Sequence, residues 1–211
     1  MSTLANFYDQ LMPELPGITT DMVDLHLRET AREFCVTTSA WLSPLAAINL
    51  VAAQDTYTLV LPTDSVLVRI KKLTLAGVLL WEESHRDSQD YSFPCPKYVR
   101  NDPPFLLSND LTTITLIPDE VPTAALAGGM VITAALKPTE SATTLPDFLK
   151  SQYSEAMRYG TLARLMMMKK PWVDRPLASE YASRYQKHLN FAAYQAQVGN
   201  TRQPLRVKSW G

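Results

Sequence analysis

Three observations predict an α+β fold: a helical apolar stripe before residue 50, a period of two across residues 51–138, and a return to helical spacing from Pro146 onward. Each helix has an apolar face it cannot bury alone, so the first must pack on the last two, with the strands inserted between them in the chain. The predicted organisation is a helical subdomain from residues 1–50 and 139–200, built of one N-terminal and two C-terminal helices. An antiparallel β-rich subdomain occupies 51–138, and 201–211 form an extended tail.

The first helix is placed by its start signals. Leu15-Pro16-Gly17 is a turn, Thr19 and Thr20 can cap, and Asp21 and Asp24 put negative charge where the helix dipole favours it. From there Val23, Leu27, Ala31, Phe34, Thr38 and Leu42 form the apolar stripe, and Arg28, Glu29, Arg32 and Glu33 form the wet face. Pro44 ends the helix or follows closely.

Tyr57, Leu59 and Leu61 then alternate with Thr58 and Val60, which reads as a strand interrupted at Pro62-Thr63-Asp64. Residues 66–75 are rich in β-branched and aliphatic side chains, and Ala76-Gly77 offers a turn into Val78 to Trp81, a hairpin. The polar stretch 82–96, broken by Pro94 and Pro96, reads as a loop. Short strands at 97–100, 104–107 and 112–117 read as a meander, and a last strand runs from Met130 to Lys137 after Gly128-Gly129.

Pro146 and Asp147 open a helix carrying Leu149, Tyr153, Ala156, Gly160, Ala163 and Met167, which ends at Lys169-Lys170 before Pro171. Pro176 opens another, with Leu177, Tyr181, Tyr185, Leu189, Ala192 and Ala196 on one face and Gly199-Asn200 as its stop. The tail holds Arg202, Arg206 and Lys208 beside apolar Val207 and Trp210. Trp172, after a helix end, and Arg206, Val207 and Trp210 in the tail are the expected interface residues.

Composition excludes several classes. A 46% hydrophobic, 19% charged chain with seven glycines is an ordinary globular one. A net charge of −1 lacks the basic excess of a phosphate-backbone binder. Cys35 and Cys95 form no C-x-x-C pair and are expected to be reduced thiols. The first ten residues lack a basic start followed by an apolar run, and no stretch reaches the ~18–20 apolar residues that span a bilayer, so a cytosolic, unprocessed chain is expected.

Catalytic motifs are not found. His26, His85 and His188 lack the spacing that aims two imidazoles at one metal, and His26 reads as a boundary histidine of the first helix. Ser84, His85 and Asp87 sit too close in one loop for triad geometry. There is no nucleophile elbow, phosphate-binding loop or dinucleotide turn, and the neighbouring carboxylates Glu82/Glu83 and Asp119/Glu120 diverge as solvated charge. Cys35 in the helical stripe reads as a small buried hydrophobe, and Met166, Met167 and Met168 point three ways, some to the core and some to a partner. No catalytic, cofactor or metal residue is assigned, and no enzyme activity is expected.

Leu15-Pro16-Gly17, Leu25, Ala31-Arg32-Glu33-Phe34-Cys35 and Thr38 to Trp41 resemble the N-terminal signature of phage head-to-tail adaptor proteins of the tail tubular protein A type. Tyr57-Thr58-Leu59, Leu61-Pro62, Val68 to Leu75, Gly77 and Leu80 are similar to that family's first strands. Leu136-Lys137-Pro138-Thr139, Leu145-Pro146-Asp147, Glu155-Ala156, Gly160 to Leu165 and Lys170-Pro171-Trp172 resemble its return into helices. The matches keep their order over most of the chain.

The resemblance implies a structural virion protein of the phage neck, made in the host cytoplasm. About twelve copies would form a homo-oligomeric ring between the portal and the tail or nozzle protein, with a central channel for genome passage. Contact with DNA would be transient and non-specific, and no membrane or cofactor is implied. The tail is expected to extend onto a neighbouring copy or the portal and to order on assembly.

Three other classes compete. A carbohydrate- or peptide-binding module would use Trp81, Tyr91 and Phe93 as an aromatic platform. An enzyme would need an unrecognised site on the loop 82–96. A DNA-binding regulator would use Arg184, Lys187 and His188 on the last helix, where acidic neighbours dilute the field.

Overall fold

The computed structural model describes residues 1–82, 104–168 and 173–198 and has an α+β fold. Strand β1 (Ser2–Thr3) leads through tight turns and the single-turn helix α1 (Tyr8–Leu11) to the long helix α2 (Thr20–Thr38). Val23, Leu27, Ala31 and Phe34 are fully buried along one face of α2. The helix stops because Ser39 adopts a left-handed conformation at φ 52° while its N–H still reaches the Cys35 carbonyl at 2.9 Å. The stripe therefore does not extend to Leu42, and the helix ends well before Pro44. Leu42 belongs instead to β2 (Leu42–Pro44) and is 46% exposed.

After β2 come β3 (Ile48–Leu50), β4 (Thr56–Thr58), β5 (Ser65–Leu75), β6 (Val78–Glu82), β7 (Phe105–Leu107), β8 (Thr113–Leu116) and β9 (Leu126–Pro138). β5 and β6 form the expected hairpin: Ala76 at φ 49° and Gly77 at φ 81° give the paired positive angles that match strand twist. Within the expected meander, β7 and β8 pair antiparallel, and the strands as a whole divide between sheets. β9 lies antiparallel beside β5 in a sheet ordered β2-β9-β5-β6, with β3 also on β9, while β4-β8-β7 form a second, three-stranded sheet. Non-local pairing adds to the local hairpins: β9, the longest strand, lies on the other edge of β5 from β6. Its start at Leu126 puts Gly128-Gly129 inside the strand, where a Cβ on Gly129 would lie 2.6 Å from Leu50 Cδ1. With β2 and β3 ahead of residue 51, the sheet draws on chain from both sides of that position. The strand expected at 97–100 lies outside the described residues.

β10 (Thr144–Leu145) pairs with β1, so the first residues are tied to the approach to the C-terminal helices. Asp147 completes the tie, accepting from Ser2 Oγ at 2.7 Å and from the Met1 ammonium at 2.6 Å. The single helix expected from Pro146 is two: α3 (Asp147–Ser151) and α4 (Ser154–Met166). Tyr153 leaves helical geometry at φ −126°, ψ 24°, and its ring packs 4.9 Å from Phe34 and 6.0 Å from Phe148. Helix α5 (Arg175–Val198) is capped by Asp174, whose Oδ1 accepts the Leu177 N–H at 3.0 Å.

α2, α4 and α5 pack on one another, and α2 also rests on β9. The three helices meet at Gly160. A Cβ there would lie 2.5 Å from Thr30 Cγ2 on α2 and 2.9 Å from Tyr185 Cε2 on α5.

Candidate functional site

The expected interface residues Trp172, Arg206, Val207 and Trp210 lie outside the described residues. So do His85, Tyr91, Phe93, Cys95 and the Trp81 side chain. Of the three methionines, Met166 is buried, Met168 is half-buried and Met167 is 61% exposed, so the run divides between core and surface.

Charged groups between the helices are consumed in pairs. Glu14, held near α4 by the turn after α1, accepts from Arg158 with one carboxylate oxygen and from the Tyr181 hydroxyl, at 2.5 Å, with the other. That bond first, then burial, pushes Tyr181 up to about 12. Tyr159 stacks on Tyr181 with centroids 5.6 Å apart, and Arg158 and Arg184 lie over its ring. Arg164 spans to Glu29 at 3.3 Å and Glu33 at 2.7 Å, joining α4 to α2. An open recess of about 400 Å³ beside this network includes Asp9, Glu14, Glu155 and Arg158 in its lining. Both Glu14 oxygens there are already engaged, by Arg158 and by Tyr181.

Among the described residues, His26 and His188 each face a carboxylate and Cys35 lies in the core. His26 Nδ1 lies 3.0 Å from Glu29 on the same helix, and His188 Nε2 lies 3.7 Å from Glu155 with its ring 5.7 Å from Tyr159. Burial pushes the Cys35 thiol up to about 12, the behaviour of a core side chain. Among the described residues, no three His, Cys, Asp or Glu side chains are placed to hold a metal ion.

Two apolar surfaces stand out instead. The first is a tip at one end of the larger sheet. Residues 45–53 and 121–136 contain no charged side chain, and they converge where Leu50 pairs with Leu126, Ala53 N–H donates to the Pro122 carbonyl at 2.9 Å, and Gly128 N–H donates to Asn49 Oδ1 at 2.7 Å. Leu50 is buried beneath, while Val51 and Leu126 stay 49% and 46% exposed among exposed alanines. Asp55 and Asp119, both exposed, and half-buried Glu120 flank it.

The second is a groove of about 610 Å³ between the α3–α4 junction and α5, lined by Gln152, Tyr153, Lys187, His188, Phe191 and Gln195. Tyr153 Oη donates to Gln195 Oε1 at 3.1 Å between two lining residues, Phe191 in the lining is 58% exposed, and Tyr194, three residues on along α5, is 51% exposed. Sequence reading missed both surfaces. The sixteen-residue run without charge from Val121 to Leu136 was the available signal for the tip. Phe191 and Tyr194 lie off the α5 core positions Tyr185, Leu189 and Ala192, which was the signal for the groove.

No family model matches the chain, and no curated protein matches it. No helix among the described residues is long and apolar enough to cross a membrane.

Proposed function

We propose that this chain is a structural head-to-tail adaptor of a tailed phage. About twelve copies form a ring between the portal and the tail or nozzle protein and leave a channel through which the genome passes. The observation that carries the reading is where the family-like residues sit. Leu15, Ala31, Phe34, Cys35, Leu136, Leu145, Ala156, Leu162 and Leu165 are buried, and Gly160 is the point where α2, α4 and α5 touch. Many of the resembling positions are therefore core positions, although others, such as Leu25 at 48% exposed, lie on the surface.

Two further facts support it. A net charge of −1 suits a conduit in which DNA slides past many copies without being held, and the contacts it makes are transient and non-specific. Exposed apolar surfaces at two separate places suit a subunit that touches two neighbours.

Incubation with purified portal rings, followed by negative-stain electron microscopy, tests this. The adaptor reading predicts an added ring of density on one face of the portal. Bare portal rings beside unbound chain would contradict it, and glycan or peptide binding by that unbound chain would favour a ligand-binding module.

A further inference from the structure

We infer that the two apolar surfaces are the two halves of one contact between neighbouring copies: the uncharged tip of β3 and β9 on one copy docks in the α5 groove of the next. The inference rests on the ring assembly proposed above and adds to it which surfaces meet.

Charge selects this occupant over the others. Residues 45–55 and 117–136 include three carboxylates, Asp55, Asp119 and Glu120, and no Lys or Arg. Two tips brought together would oppose the Asp55 and Glu120 carboxylates of each rim, which disfavours a symmetric tip-to-tip contact. The same rim opposes an anionic lipid surface.

The groove carries the opposite sign. Lys187 is on its wall, and exposed Lys150 lies two residues before Gln152, while Glu155 faces His188 at 3.7 Å and Asp147 on α3 is paired with the Met1 ammonium. Tyr153, Phe191 and Tyr194 give broad apolar faces suited to Val51, Leu126 and the surrounding alanines. Apolar side chains thus meet apolar side chains, and acidic rim meets basic rim.

In the ring proposed above the contact is heterologous: each copy offers its tip to one neighbour and its groove to the other. Such contacts propagate and close into a ring when the rotation between copies allows.

The test uses Leu126→Asp, which spoils the tip, and Phe191→Asp, which spoils the groove, in sedimentation velocity under the condition in which wild type assembles, alone or on portal rings. Both side chains are exposed, so thermal melts should match wild type; Val51→Asp and Tyr194→Asp replace either variant that misfolds. Each variant alone should lose ring assembly by at least about tenfold, because a carboxylate would be buried against apolar neighbours. An equimolar mixture should stop at one-to-one pairs, since each partner keeps one intact surface. Rings formed by either variant alone, or a mixture that forms no pairs, would overturn the tip-to-groove contact while leaving the adaptor reading in place. A wild-type chain that assembles under neither condition would overturn both.

Discussion

Replacing Gly160 with alanine sets two physical effects against each other at the centre of the helical unit. Inside a helix, Ala is favoured over Gly by about 1 kcal/mol, so propensity alone predicts a more stable protein. Packing predicts the reverse. The new methyl would sit 2.5 Å from Thr30 Cγ2 and 2.9 Å from Tyr185 Cε2, both inside contact distance. Neither neighbour can yield cheaply. Thr30 is fixed by its hydroxyl donating to the His26 carbonyl at 2.8 Å, and Tyr185 is buried with its hydroxyl 3.3 Å from the Thr30 carbonyl. Overpacking of this kind costs about 1–3 kcal/mol per site, and two rigid contacts at once put Gly160→Ala at the upper end. Net of propensity, we expect about 2 kcal/mol of destabilisation, a fall in melting temperature of roughly 4–8 °C for a chain this long. Thermal and urea unfolding followed by circular dichroism measure it. Thr30→Ser removes the methyl at 2.5 Å and should recover part of the loss in the double variant, a coupling that a mutant cycle reads directly. A Gly160→Ala protein as stable as wild type would show that the three helices do not meet as closely as described.

Other predictions follow from single contacts. Asp64 sits at φ 57° and accepts from Thr143 N–H at 3.3 Å and the Thr144 hydroxyl at 3.4 Å, so Asp64→Ala should cost about 1–2 kcal/mol in urea unfolding, and Asp64→Asn, which tolerates the left-handed conformation, less. Tyr181, up to about 12 in the folded chain against about 10 unfolded, contributes stability that is present below pH ~10 and lost as pH rises toward about 12. Urea midpoints should therefore fall across that window, and less steeply in Tyr181→Phe; an unchanged slope would remove Glu14 as the cause. Cys35 should resist thiol reagents in the native protein and react once unfolded, which peptide mapping after labelling would show.

What the sequence made legible was local. The α2 stripe through Val23, Leu27, Ala31 and Phe34, the Ala76-Gly77 hairpin and the start of α5 near Pro176 each follow from neighbours in the chain. The misreadings come from backbone geometry that leaves side-chain periodicity intact. Leu42 keeps helical spacing from Thr38, yet Ser39 has already turned the chain. Tyr153 keeps the spacing of one long helix, yet its own φ and ψ divide α3 from α4. Pairings between distant segments, such as β1 with β10 and β9 with β5, leave no local trace. The candidate surfaces were half legible: absence of charge marks the tip, but only the fold brings residues 45–53 to 121–127.

The most direct measurement of the central claim is the mass of the purified chain by light scattering, alone and with its portal protein. The account predicts either a closed ring of about twelve times the 23.6 kDa monomer, or a monomer that adds to the portal as such a ring. A 23.6 kDa species that leaves the portal's mass unchanged would contradict it.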